Sequence, residues 1–360
     1  MDSNLFNGLI DGLFPKGSRL CAAVDASAAP FLVVPGRGGP RWVLPANPVH
    51  GWPGLRGWRP YDAASRVKWG VLMGTYRAGL LGLVPGVEKI AIAVPAAADW
   101  AHLGWPGARP PKPVIYIGTP SRAQRAVAML VDTMQKRALA VAKIPIGADA
   151  RRRILGEADV LERLAKERPG LAPRLLFHDA GRGIATEEAL IAARTGRKWT
   201  PAHLEFLARL RIPGKTLSLR EAVAGLRPKL ASLPQTKAQR IGSIMDGLDD
   251  PAPLPACWVH GDFAPWNLLL QGDRLVACDW EYAKPFGLPL FDATHFMWMQ
   301  RYLFSDRKSD VPMKDSLDAF SLDAEYGDRI SKFYRCAIIC SEDFPGEAYA
   351  EFLYDSFSNE

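Results

Sequence analysis

The stretch VHGDFAPWNLLLQGDRLVACDWE, residues 259–281, constrains this chain more than any other. The apolar run NLLLQ, the dipeptide Gly272-Asp273 and the run RLVACD make a hairpin with a two-residue turn. If Gln271 pairs with Arg274, Asn267 lies opposite Cys278, and Asp279 comes beside Asn267 at the open end of the hairpin. Strand alternation puts those two side chains on different faces unless the strands end there, so the spacing argues proximity and leaves orientation open. Asp262 precedes Asn267 by five residues, in a loop containing Pro265. Two carboxylates and a carboxamide gathered at one strand end form a hard-oxygen site, suited to Mg²⁺ with phosphate oxygens completing the shell.

Phosphoryl transfer needs such an arrangement. One carboxylate orients the acceptor hydroxyl, a cation bridges nucleotide phosphates, and a fixed positive charge meets the α/β-phosphates. The strand ALAVAK supplies a candidate for that charge in Lys143, which shares a face with Leu139 and Val141. Fourteen residues later, Glu157 stands with Leu161 and Leu164 on one side of a helix, so this carboxylate borders the buried stripe. Glu162 and Lys166, by contrast, make an ordinary solvent-facing i, i+4 pair.

Around these motifs the chain reads as a well-stocked globular protein. Its 360 residues exceed one typical domain, and 48% hydrophobic with 23% charged residues excludes intrinsic disorder, collagen and coiled coil. There is no run of 18 uncharged apolar residues for a transmembrane helix, and MDSNLFNGLIDGLFPKG lacks the basic and apolar regions of a signal peptide. Five cysteines without CxxC pairs point to a reduced, cytoplasmic chain, with Cys336 and Cys340 on one helix face. The net charge of +7 is uneven, with 12 Lys and Arg against 6 Asp and Glu over 1–112, and 6 against 13 over 306–360. No basic run is dense enough for nucleic acid.

Composition shifts near 112. Six of the eleven tryptophans precede it, FLVV (31–34) and RWVL (41–44) read as a hairpin, and 62–84 reads as a helix with Val67, Val71, Tyr76, Leu80 and Leu83 along one side. Arg66, Lys68 and Arg77 in that helix leave a membrane-surface contact through 62–84 as the alternative to packing. ARPPKP (108–113) reads as a linker. Beyond it come strands at 114–118, 125–131 and 137–144, a helix at 148–167, a strand near 184–191 and helical sequence from about 201 to 247. The closing acidic segment is helical. His50, His102, His178, His203 and His295 show no metal-ligand spacing and read as ordinary surface or core residues.

The order Lys143, Glu157, His260-Gly261-Asp262, Asn267, Asp279 resembles the aminoglycoside phosphotransferase/choline kinase family, relatives of the eukaryotic-type protein kinases. HGDFAPWN corresponds to the catalytic loop H-G-D-x-x-x-x-N, and DWE at 279–281 stands where DFG holds the metal. GLPLFDATHF (287–296) resembles the G-x-P-x-x-D segment, whose aspartate, here Asp292, braces that loop. The likeness spans about 113–300. It implies Asp262 as catalytic base, Asn267 and Asp279 as metal ligands, Lys143 as the phosphate contact braced by Glu157, and His260 as structural. The phosphate-covering loop GTPSRAQRAV (118–127) departs from the pattern, with Gly118 alone in place of GxGxxG. Trp280 and Glu281 replace the Phe and Gly of a protein kinase.

The resemblance implies an α+β, two-lobed protein-kinase-like fold. A small antiparallel-sheet N-lobe over 113–192 binds the nucleotide, and a mainly helical C-lobe over 193–360 carries the catalytic loop, metal site and acceptor pocket. Residues 1–112 are then a separate Trp- and Pro-rich basic appendage. ATP, or GTP, is expected between the lobes, its base against 187–192, with Mg²⁺. The expected activity is transfer of the γ-phosphate to a hydroxyl of a small molecule: an aminoglycoside, a sugar or glycan precursor, or an amino alcohol. A protein kinase is the enzymatic alternative, and a nucleotide-binding scaffold the non-catalytic one. Only thirteen residues separate Asp279 from Asp292, and A-P-E is absent, which leaves no room for a peptide platform.

Overall fold

The structure is a computed structural model that describes residues 3–21, 28–56, 58, 60, 63–95, 99–190, 193–304, 311–341 and 346–358. The chain forms two compact units, 1–166 with 172–192, and 167–171 with 193–360. Elements of the first unit run α1 (Ser3–Leu13), β1 (Arg19–Cys21), β2 (Ala29–Gly36), β3 (Gly39–Pro45), α2 (Pro48–Leu55), α3 (Ala63–Arg77), β4 (Glu88–Ala93), β5 (Lys112–Ile117), β6 (Arg125–Asp132), β7 (Arg137–Pro145), α4 (Ala150–Glu167), β8 (Leu175–Asp179) and β9 (Ile184–Glu188). Among the described residues, the nine strands make one sheet in the order β1-β4-β2-β3-β5-β6-β7-β9-β8. Every neighbouring pair in it is antiparallel.

Both faces of this sheet are covered, which is why its strands are apolar at successive positions rather than alternating. Phe31, Val33, Val43, Ile115 and Ile117 face one side, where Phe6, Leu9, Ile10 and Leu13 of α1 cover them. Leu32, Trp42, Leu44, Val114 and Val131 face the other, against Leu55, Met73 and Tyr76 of α2 and α3. Gly54 of α2 sits where a Cβ would come 2.9 Å from a Val114 and 3.1 Å from a Val131 side-chain atom, so glycine suits this close approach.

No boundary falls at 112. Lys112 and Pro113, the expected linker, open β5 opposite Val131 and Leu130. On the other edge of β5, Trp42 and Val43 of β3 pair with Tyr116 and Ile115. Four of the tryptophans before 112 pack on the α2–α3 side of the sheet, where Trp42 lies 5.1 Å from Trp58, 5.3 Å from Trp69 and 5.0 Å from Tyr116, while Trp100 and Trp105 pack on the other side. The composition shift therefore marks an aromatic packing layer of the same unit, not a separate appendage.

The helix expected over 62–84 is shorter and turned the other way. It ends at Arg77, and Gly79 (φ 75°) reverses the chain, so Leu80 and Leu83 leave its axis. Met73 and Tyr76 face the core, whereas Val67 and Leu83 are 70% and 75% exposed. Residue 62 lies outside the described residues.

The second unit runs β10 (Ala193–Arg194), α5 (Pro201–Arg209), β11 (Arg211–Leu217), α6 (Leu219–Leu226), α7 (Gln235–Asp246), β12 (Leu254–Val259), β13 (Leu268–Gln271), β14 (Arg274–Ala277), β15 (Lys284–Gly287), α8 (Phe291–Phe304), α9 (Val311–Phe320), α10 (Ala324–Ile339) and α11 (Glu347–Ser356). It is mainly helical, with two three-stranded sheets, β10-β13-β14 and β11-β12-β15. An antiparallel-sheet unit followed by a mainly helical one is the expected α+β class. The helical reading of 201–247 is interrupted by β11, because Pro213 and Gly214 (φ 67°) break the helical pattern there. Phe291 through Gln300 of α8 are all buried, which makes this helix the core of the unit. The five cysteines are free thiols, and Cys336 and Cys340 are buried. Among the described residues, no helix is long and apolar enough to cross a membrane. Parts of the acidic terminal segment, 306–310, 342–345 and 359–360, lie outside the described residues.

Candidate active site

In the first unit, β7 carries Lys143 between Val127 of β6 and Ala185 of β9. Its ammonium donates to both oxygens of Glu157, at 2.6 and 2.7 Å, with the two side chains only 7% and 3% exposed. Ile154, Ala158, Leu161 and Leu164 are buried along with Glu157 on α4, so the apolar stripe of that helix carries the carboxylate inward. A second carboxylate, Glu187 of β9, stands 3.5 Å from the same ammonium. Sequence reading passes over Glu187 because its place beside Lys143 depends on the β7–β9 register, where it pairs with Val141. A buried cation held by two carboxylates has a fixed position, which is what a phosphate contact requires.

The loop after β5 is built without the glycines of the expected pattern. Gln124 donates its side-chain amide to the Gly118 carbonyl at 2.9 Å, and its own carbonyl accepts from the N–H groups of Ile146 and Gly147 at 3.0 and 2.8 Å. Arg122 and Asp149 close the loop with an ion pair at 2.8 Å. Of the stretch 187–192 expected to face a nucleotide base, residues 191 and 192 lie outside the described residues.

In the second unit, the hairpin has the register read from its sequence. Gln271 pairs with Arg274, and Cys278 donates its N–H to the Asn267 carbonyl at 2.9 Å. The alternation rule does not reach Asp279. β14 ends at Ala277, and Asp279 takes a left-handed conformation, φ 68°, so strand alternation no longer governs its side chain. Such a conformation costs a non-glycine residue on the order of 1 kcal/mol or more and is characteristic of functional turns.

The loop before the hairpin is fixed from several sides. Asn267 donates its side-chain amide to the Asp262 carbonyl at 3.0 Å and to Asp262 Oδ2 at 2.8 Å. The Asp262 N–H donates to His260 Nδ1 at 3.2 Å, so His260 Nε2 carries the proton, which it donates to the Cys278 carbonyl at 3.1 Å. His260 thus ties loop to hairpin, with the Trp280 ring 4.5 Å away. Gly261 adopts φ 87°, and a Cβ there would lie 2.5 Å from the Tyr282 carbonyl oxygen.

Asp292, in the first turn of α8, accepts from the His260 N–H at 2.8 Å and the Gly261 N–H at 3.0 Å. Burial raises its carboxyl above the usual range, against the pull of His260 and these two donors. One turn later, His295 of the same helix stands with Nε2 3.1 Å from Asp262 Oδ1. The histidine read as an ordinary core residue is therefore bonded to the central carboxylate. Its spacing of three from Asp292 on one helix face was the available signal, but that face could not be assigned to the loop from sequence.

The donor set suits a cation that keeps other ligands. Asn267 commits its Nδ2 to Asp262 and so presents Oδ1, while Asp279 adds a half-buried carboxylate. Among the described residues, no group of three or more His, Cys, Asp or Glu side chains could enclose a metal alone. One amide oxygen and one carboxylate fit Mg²⁺, which binds through few protein groups and retains phosphate oxygens and water.

No curated protein matches the chain in sequence. Among solved structures, it is similar to a choline kinase from Streptococcus pneumoniae, at 14% identity over 67% of this chain and 90% of that one, with a TM-score of 0.48. A choline/ethanolamine kinase family protein from Mesorhizobium loti is similar at 19% identity over 73% and 91%, TM-score 0.48. An aminoglycoside phosphotransferase from Streptomyces rimosus is similar at 15% identity over 62% and 92%, TM-score 0.44. The sequence model of the phosphotransferase enzyme family matches residues 185–327. That stretch, which holds the loop, the hairpin and α8, is similar to the phosphotransferase enzyme family.

Proposed function

We propose that the chain transfers the γ-phosphate of ATP, or GTP, to a hydroxyl of a small molecule. The observation that carries this reading is the locked end of the β13–β14 hairpin. There Asp262 is held by Asn267, and Asp279 turns out of its strand, within a segment that matches a phosphotransferase family.

Asp262 then orients the acceptor hydroxyl and takes its proton as the phosphoryl group transfers, a role that needs an ionised carboxylate in a fixed pose. Asn267 and Asp279 hold Mg²⁺, which when bound offsets charge on the phosphates. Lys143, braced by Glu157 and Glu187, contacts the nucleotide phosphates. His260 and Asp292 fix the loop that carries Asp262. The first unit serves nucleotide binding, and the second serves catalysis and acceptor binding.

A small acceptor is favoured over a peptide by the chain after Asp279. That interval is short, and four of its residues form β15, which pairs with β12, so little chain remains to serve as an extended platform. The acceptor pocket is assigned to the helices of the second unit, where several hydroxyls can be enclosed and one aligned with the γ-phosphate. Five free thiols fit a reducing compartment, and we place the activity in the cytoplasm.

The test is a product-mass screen with Mg-ATP across aminoglycosides, sugars and amino alcohols, with a mixed peptide library beside it. A discrete phosphate ester and no phosphopeptide are expected. Asp262→Asn should lower kcat by about a thousandfold or more with nucleotide affinity within twofold. Peptide labelling without a small-molecule ester, or near-normal turnover by the variant, overturns the reading.

A further inference from the structure

Asp262 is served by a hydrogen-bond chain that none of the roles above uses. His295 Nε2 lies 3.1 Å from Asp262 Oδ1, His295 Nδ1 lies 2.9 Å from the Tyr334 hydroxyl, and that hydroxyl lies 2.9 Å from the hydroxyl of Tyr349. Three helices, α8, α10 and α11, each contribute one member. His295 is fully buried, and Tyr334 and Tyr349 are 0% and 2% exposed. Only the carboxylate at the end reaches solvent, at 14%.

With the carboxylate ionised and the imidazole neutral, chemistry gives every proton in this chain one direction. An ionised carboxylate only accepts, so Nε2 carries the hydrogen. A neutral imidazole then has Nδ1 as an acceptor, so Tyr334 must donate to it. The Tyr334 oxygen is left to accept from Tyr349. Burial lifts both phenols well above their ordinary value, so neither supplies a phenolate that would reverse the order. The chain thus points one way, from Tyr349 through Tyr334 and His295 to Asp262.

We propose that His295 is the positioning residue of Asp262, its tautomer set by Tyr334 and Tyr349. The inference rests on the reading of Asp262 as the group that orients the acceptor hydroxyl. Asn267 Nδ2 fixes Oδ2 and His295 Nε2 fixes Oδ1, so the carboxylate cannot rotate about its terminal bond. Its remaining lone pairs are aimed at one place. A displacement of 1 Å in such a group costs up to about a hundredfold in rate, so holding the second oxygen is worth a measurable factor.

Two measurements on the full-length protein test this. The first is nitrogen NMR of the protein labelled at histidine. His295 is expected as the neutral Nε2–H tautomer, with its Nε2 resonance shifting in Asp262→Asn and its Nδ1 resonance shifting in Tyr334→Phe. A cationic ring, the Nδ1–H tautomer, or a resonance indifferent to Asp262→Asn overturns the proposal, whatever the activity of the protein.

The second is ADP formation from Mg-ATP, with water and with any acceptor found by the screen. His295→Leu should lower kcat about tenfold to a hundredfold, with nucleotide and acceptor KM within twofold. His295→Gln, whose amide reaches the Nε2 position, should recover most of that loss, and Tyr334→Phe should give a smaller fall. Parent-like kcat in a folded His295→Leu protein, or equal losses in the Leu and Gln variants, overturns the proposal. The controls separate two failures. If Asp262→Asn abolishes turnover and His295→Leu does not, positioning alone is refuted. If Asp262→Asn is as active as the parent, the assignment of Asp262 itself falls.

Discussion

Acid should loosen the floor of the catalytic loop through one histidine. His203 sits in the first turn of α5, its ring fully buried and stacked on Trp199 at 4.7 Å. Phe296 of α8 and Phe263 of the loop that carries Asp262 close over it, at 5.3 and 6.1 Å. Nδ1 accepts from the Thr200 N–H at 3.1 Å, which caps the helix. Burial lowers the ring pKa to about 4 from an ordinary 6.5, partly offset by the Thr200 contact. Below 6.5 the unfolded chain takes up a proton that the folded chain refuses. The contribution is therefore whole above 6.5 and is lost as pH falls toward about 4. At about 1.36 kcal/mol per pH unit, the full loss is about 3 kcal/mol, of which about 2.5 kcal/mol has gone by pH 4.5. The assay is urea unfolding followed by tryptophan fluorescence from pH 7.5 to 4.5, comparing the parent with His203→Asn. An asparagine oxygen can replace Nδ1 as the cap acceptor, and the cavity it leaves costs the same at every pH. Losses common to both proteins come from other groups, so the difference isolates His203. Curves that fall in parallel would refute the argument.

Removal of residues 1–107 should prevent the first unit from folding. It strips β5 of its β3 neighbour and takes Phe6, Leu9, Ile10 and Leu13 from the sheet. At about 1.5–3 kcal/mol each, those four side chains alone approach the whole stability of a domain. A soluble fragment with a cooperative transition and parent-like nucleotide affinity would contradict this. On the role proposed for it at the cation, Asp279→Ala should lose Mg²⁺-dependent nucleotide binding and turnover together. Calorimetry showing unchanged Mg²⁺-dependent ATP binding would count against that role.

The parts of the site that lie close along the chain were readable from sequence. The turn at Gly272-Asp273 sets the register, and register alone brings Cys278 opposite Asn267. Lys143 and Glu157 were readable as a strand residue and a helix residue on inward faces, because period two and period 3.6 each identify one side. What could not be read depends on a conformation or an assembly of distant elements. Asp279 points where it does because of a positive φ that no alternation rule anticipates. Glu187 and His295 meet their partners only once β9 and α8 are in place. The face of α3 was misread because the helix ends at Arg77, before Gly79, which removes Leu80 and Leu83 from the stripe that had suggested it. The tryptophan-rich segment looked separable because an aromatic layer against a sheet has the same composition as an independent module.

The single ladder between β3 and β5 also bears on how the first unit assembles. On one side of it, β2, β3 and β4 are drawn from residues 29–93, and on the other β5, β6 and β7 from 112–145. The β2–β3 and β5–β6–β7 pairings close through hairpins or modest loops and form quickly, whereas β4 reaches β2 across some sixty residues. Joining the two groups brings together residues some seventy positions apart at Trp42↔Tyr116 and Val43↔Ile115. During synthesis β3 is complete long before β5 leaves the ribosome, and until then its edge is an open row of backbone donors and acceptors. Elongation across the segment between them sets how long that edge stays unpaired and open to pairing with another chain.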